Sequence, residues 1–226
     1  MNYRKEIQEL FPTVIDNLST KNGRLTYLSL TSKPEGPIRD EFAWILSNKL
    51  RESNPNLVSA REYSRYDLAI LEIFENPELK KAKRVEHIFE FKVGSAGNFR
   101  DRLKAADNFV DSVEKDFFKG LEADPEIGLT QRTGIFLAPE AIGMIENNNR
   151  PFIKYASKHN GLSKLKSKFD SENPKFIADK IRKKFEERDS LAVINQQQIL
   201  AADTFRGLKA RIHFLMITAN EKIKTK

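Results

Sequence analysis

The chain has 226 residues, with 39 Lys+Arg against 32 Asp+Glu, a formal net charge of +7, and no cysteine. That length suits one well-buried core, and the lack of cysteine excludes disulfides, thiolate metal sites and cysteine nucleophiles. The basic surplus is compatible with a polyanionic partner without requiring one.

His87, His159 and His213 are too scattered to match a zinc spacing. No window approaches about 18 consecutive apolar residues, and residues 1–10 are polar, so neither a membrane span nor a secretory leader is expected. The expectation is a soluble, cytoplasmic protein with no membrane partner.

In chain order, Ile7, Leu10, Phe11, Val14, Ile15 and Leu18 recur at helical spacing and predict an amphipathic helix despite Pro12. Residues 19–37 carry Asn22-Gly23 and the breaker group Lys33-Pro34-Glu35-Gly36-Pro37, and read as turns with a short strand at 24–30. A helix at about 38–53 stops at Asn54-Pro55-Asn56. Three β-like runs follow, at 57–63, 66–74 and 85–93, the last two separated by a polar loop at 75–84.

The clearest helix covers 98–121, with Phe99, Leu103, Ala106, Val110, Val113, Phe117 and Leu121 on one stripe and Asn98 and Asp101 as a capping box. A buried strand at 133–138, a basic helical region at 141–189 and a last strand at 211–218 complete the chain. Within that region, 175–188 is amphipathic, with Phe176, Ile177, Ile181 and Phe185 inward, and Gln196-Gln197-Gln198 reads as a polar connection. The fold class is α/β, a single domain over 1–226 with a central mixed sheet flanked by helices.

The chemistry centres on the third run. Side chains alternate along a strand, so Phe89, Phe91 and Val93 face one way with Val85 and His87, and Glu90 and Lys92 face the other with Glu86 and Ile88. Burying two charged groups costs several kcal/mol unless they are paired or bind a metal. Asp67, a poor strand former, stands at the start of the preceding run, and a hairpin would bring it beside Glu90 and Lys92. Glu41, spaced with Ile38 and Ile45, projects from the preceding helix toward the sheet. Three carboxylates make a hard oxygen site suited to Mg²⁺ or Mn²⁺. A lysine there can orient a water, assist its deprotonation or stabilise charge on phosphorus.

Asp67, followed after a hairpin loop by Glu90-Phe91-Lys92, resembles the PD-(D/E)XK nuclease superfamily. The helix bearing Glu41 and the helix at 98–121 fit its αβββαβ core, over roughly residues 38–138. Residues 1–37 would be an N-terminal extension, and 141–226 a basic helical region with a last strand. The resemblance implies a restriction endonuclease-like fold and metal-dependent hydrolysis of DNA phosphodiester bonds. Asp67 and Glu90 would bind Mg²⁺ or Mn²⁺, Lys92 would serve the attacking water, Glu41 would be an auxiliary ligand, and the Phe91 carbonyl a further one. A homodimer would cut both strands. Two departures stand out: Tyr66 replaces the motif's proline, and the RecB-like glutamine and tyrosine are missing from the following helix, where Lys104 is the nearest polar residue.

The competing readings are a salt-bridged Glu90–Lys92 pair on a half-exposed sheet, and an inactive nuclease-fold protein that binds DNA or a partner. Arg150, Lys154, Lys158, Lys164, Lys166 and Lys168, with Phe152, Tyr155 and His159 interleaved and no acid among them, form a candidate DNA-binding face. Arg61 and Arg65 flank the first strands and could meet a phosphate. Gly94-Ser95-Ala96-Gly97 lacks the spacing of a phosphate loop.

Overall fold

The computed structural model describes residues 7–10, 12–14, 17, 24–32, 34–63, 66–74, 82–94, 96, 103–118, 131–142, 152, 153 and 174–219. Its elements are α1 (Arg24–Thr31), α2 (Glu35–Ser53), β1 (Leu57–Arg61), β2 (Leu68–Phe74), β3 (Ala82–Val93), α3 (Leu103–Phe118), β4 (Gln131–Ile142), α4 (Pro174–Glu186), β5 (Leu191–Phe205) and β6 (Leu208–Ala219). The strands form one mixed sheet in the order β1-β2-β3-β4-β6-β5. β1, β2 and β3 are antiparallel neighbours; β3 and β4 are parallel, with α3 between them in sequence; β4–β6 and β6–β5 are antiparallel.

Alternation along the strands divides the core between the two faces of the sheet. On one face, Phe89, Phe91, Ile135, Leu137, Phe214 and Met216 pack with α2 (Ile38, Phe42, Leu46, Leu50) and with Ile7 and Val14 of the first helical segment. The predicted stripe of that segment is thus observed at its two buried positions. On the other face, Phe136, Leu215 and Ile217 pack with Ala106, Val110 and Val113 of α3 and Ile181 and Phe185 of α4. Polar contacts tie α3 to α4 and to the turn after it: Lys184 pairs with Asp107 at 3.0 Å, Arg188 with Asp111, and Ser190 donates to Glu114. Asp107, Asp111 and Glu114 follow helical spacing, so one edge of α3 is acidic and meets the α4 segment.

Three sequence expectations are corrected. Residues 24–31 form a helix, with Thr26, Ser29 and Leu30 buried at i, i+3, i+4 spacing. The polar side chains on the inner face concealed the period, and at the helix end the Thr31 and Ser32 hydroxyls donate to the carbonyls four residues earlier. The breaker group starts α2 instead of ending a loop. Pro34 is the N-cap and Pro37 lies in the first turn, where its missing N–H is no loss. Gln196, Gln197 and Gln198 are not a connection but part of β5, opposite Leu215, Phe214 and His213.

A smaller correction concerns β3. Ile70 pairs with His87 but Leu71 pairs with Val85, so Glu86 is bulged out of the ladder. The bulge changes the phase of the strand, and Val85 packs with Tyr66 and Ile88 rather than with Phe89. Residues 82–84, expected in the polar loop 75–84, are strand and pair with Phe74, Ile73 and Glu72, because β3 extends the hairpin ladder beyond its apolar run. Residues 75–81, Asn98 and Asp101 lie outside the described residues, as do Arg65, Tyr155 and His159. No helix among the described residues is long and apolar enough to cross a membrane.

Candidate active site

Strand β3 carries two charged residues into the sheet because the residues between and beside them hold it in place. Phe42 of α2 meets both Phe89 and Phe91 edge-on, with centroids 5.3 and 5.6 Å apart. With Phe91 fixed on that face, Glu90 and Lys92 must project from the other. They line a small pocket with Val113, Gly134, Phe136 and Ile217. Glu90 is only 5% exposed. Its partner in the parallel register is Gly134, so β4 places no side chain beside the carboxylate.

The hairpin delivers Asp67 to the same end of β3. Leu68 pairs with Phe89, and one residue earlier the Asp67 carboxylate accepts the Phe91 N–H through Oδ2 at 2.7 Å. Phe91 is the residue between Glu90 and Lys92. The chain before Asp67 is anchored without the motif's proline: Tyr66 is buried, and the Arg132 guanidinium lies 5.3 Å from its ring centre. The turn from β1 closes with the Glu62 N–H donating to the Asp67 carbonyl at 2.9 Å, and Glu62 holds a left-handed φ of 53°. A non-glycine residue there costs roughly 1–2 kcal/mol, which the surrounding contacts must offset.

The charges of the site are engaged within the protein. Lys92 Nζ lies 2.9 Å from Asp116 Oδ2 on α3. Burial pushes the Lys92 pKa down. The hydrogen bond and charge of Asp116, then the charges of Glu90 and Glu35, outweigh it and hold the group above its ordinary value. Asp67 Oδ1 lies 3.8 Å from Arg39 Nη1, and Arg39 also contacts Asp40 at 3.2 Å and Glu62 at 3.3 Å. Arg61 closes this network on Asp40 at 2.9 Å.

Arg39, Glu62, Glu35 and Asp116 escaped the sequence reading. On α2 the buried positions 38, 42, 43, 45, 46 and 50 define a face whose centre includes position 35. Glu35 is the helix carboxylate whose charge reaches Lys92. Glu41, half-buried, lies roughly a third of a turn from the centre of that face at 3.6 residues per turn. Its spacing to Ile38 and Ile45 is real, but those two mark the edge of the stripe. Extending the helix back through Pro37 would have found Glu35. Asp116 carried no signal, since it stands beside the apolar stripe of α3 like any exposed acid.

The donor chemistry here, carboxylate oxygens from Asp67 and Glu90, suits Mg²⁺ or Mn²⁺, which need only one or two carboxylates with waters. Among the described residues no group of three or more His, Asp or Glu converges tightly enough to make a metal cage. Arg150, Lys154, Lys158, Lys164, Lys166 and Lys168 lie outside the described residues. Compared with protein-family models, curated proteins and solved structures, the chain matches none significantly.

Proposed function

We propose that the chain is a metal-dependent nuclease that hydrolyses DNA phosphodiester bonds at Asp67, Glu90 and Lys92. The observation that carries the reading is the hydrogen bond from Phe91 N–H to Asp67, which brings a carboxylate from one strand to the Glu-x-Lys segment of the next. The order of helix, three antiparallel strands, helix and parallel strand from α2 to β4 supports the αβββαβ core of the PD-(D/E)XK superfamily.

Asp67 and Glu90 would hold Mg²⁺ or Mn²⁺, with Glu35 supplying further negative charge and Glu41 retained as a more peripheral candidate. The ion, when bound, would acidify water and neutralise phosphate charge. Lys92 has a defined part in this scheme. Its ammonium is held charged by Asp116, so it serves as a fixed cation that orients water and balances charge on the phosphorus, not as a resting base. Asp67, bound to the Phe91 N–H, is locked against β3 and orients the pair.

The second reading, a nuclease-fold protein that binds DNA or a partner without cutting, is favoured by the same ion pairs. Arg39 engages Asp67 and Asp116 engages Lys92, so both charges are accounted for without a ligand. Plasmid nicking with Mg²⁺, Mn²⁺ or EDTA separates the two. Metal-dependent cutting by the wild type, lost in Asp67→Ala and Lys92→Ala, is the expected result. No cutting of supercoiled, linear, branched or single-stranded DNA, with no heat of Mg²⁺ or Mn²⁺ binding by calorimetry, would leave the second reading.

A further inference from the structure

The sheet does not end where the candidate site ends. The last β3–β4 pair is Val93 with Leu137, but β4 and β6 continue from Ala138–His213 to Ile142–Lys209. At about 3.3 Å per residue this ribbon runs roughly 16 Å past the Glu-x-Lys end of β3. At that end β6 joins β5 through a two-residue hairpin turn between Phe205 and Leu208, with left-handed φ at Arg206 (50°) and Gly207 (75°).

The tip gathers aromatic rings and cations. The Arg206 guanidinium lies 3.9 Å from the ring centre of Phe152, and Tyr27 of α1 meets Phe205 edge-on at 5.2 Å. Tyr27 and Phe152 are each 49% exposed, and Arg206 and Lys209 are exposed beside them. Leu30, Ala141, Ile153, Leu208 and Ala210 pack beneath and hold the corner together. Glu140, an acid of β4 near the tip, is buried and engaged by Arg211 at 3.5 Å and His213 at 3.3 Å, so its charge is not presented there.

Half-exposed aromatic rings on a packed apolar base beside exposed cations are the chemistry that takes unpaired nucleotides. Bases stack on the rings, and the cations meet phosphates. A paired duplex hides its base faces and could use only the cations. We propose that this ribbon tip, Tyr27, Phe152, Arg206 and Lys209, binds a single-stranded segment of DNA. Its place beyond the end of β3 would hold that strand beside the site proposed above, but binding at the tip does not depend on cleavage there.

The test is fluorescence anisotropy in EDTA with labelled oligothymidine of about 20 nucleotides, the matching duplex and oligouridine, at about 50 and about 200 mM salt. Oligothymidine should bind more tightly than the duplex. Tyr27→Ala and Phe152→Ala should each weaken it by roughly 5- to 100-fold. Arg206→Gln and Lys209→Gln should each weaken it and lower the salt slope by about 0.7. These last two substitutions lie on the surface and carry the test if truncating a ring loosens the corner. Unchanged affinity and slope in the two glutamine variants, preference for the duplex, or tighter binding of oligouridine would overturn the proposal. EDTA removes any metal-dependent cutting, so these outcomes read the tip alone, and plasmid cleavage by the Asp67 and Lys92 variants reads the site alone.

Discussion

Lys92 is pulled in two directions, and the balance decides what it can do. Burial favours the neutral amine, whereas Asp116, Glu90 and Glu35 favour the ammonium and prevail. A lysine whose folded pKa is raised contributes stability that is fully present below its unfolded pKa of about 10.4 and is lost as pH rises through the folded value. Asp116→Asn removes the strongest of the favourable partners. The stability gap between wild type and this variant should therefore hold from neutral pH to about pH 9 and close only at higher pH, which urea melts across that range would show. A gap that closes near pH 7 would mean another group is responsible. On the nuclease reading proposed above, the same variant should shift the alkaline limb of the cleavage pH profile downward, because Lys92 would then lose its proton sooner. Asp67 and Glu90 were legible as site candidates because acids in apolar strands are conspicuous. Asp116 and Glu35 were not, because an acid on a helix is ordinary until the fold shows what it faces.

Among the elements, β3 depends on what clamps it from either side. Phe42→Ala would leave a cavity against Phe89 and Phe91, at a cost of about 3–5 kcal/mol, and free the strand that presents Glu90 and Lys92. Denaturant unfolding should register the loss, and on the proposed nuclease reading cleavage should fall by more than the unfolded fraction accounts for. Gly94 guards the other side. Its N–H donates to the Leu137 carbonyl at 2.9 Å, and a Cβ there would meet Phe109 at 3.0 Å and Phe136 at 3.1 Å. Both rings lie in the α3-side core, so Gly94→Ala should destabilise by about 1–3 kcal/mol, measured by thermal melts. A melting temperature equal to that of wild type would show that the two rings yield freely.

Across the whole molecule, the two core clusters share the central strands. Ile135 and Leu137 belong to one, Phe136 and Ala138 to the other, and Phe214 and Met216 alternate in the same way with Leu215 and Ile217. Loss of packing on either face therefore loosens the same backbone. Phe42→Ala on one face and Ile181→Ala on the other should each shift one common unfolding transition, followed by circular dichroism and by Trp44 fluorescence. Two transitions, each sensitive to only one substitution, would show that the layers melt independently.

Periodicity by itself placed helices at α2, α3 and α4, with Ala106, Val110, Val113, Ile181 and Phe185 inward, and strands at β1 to β4 and β6, because burial of one face leaves a mark every two or every three to four residues. It failed where tertiary contacts overrode local preference. Buried Thr26 and Ser29 hid a helix, prolines read as breakers began one, and three glutamines turned out to line a strand supported by β6. Which acid meets Lys92, what holds Asp67 against β3, and which aromatic rings gather at the ribbon tip are contacts between residues far apart in the chain. No spacing encodes them, and only the packing of helices on both faces of the sheet decided them.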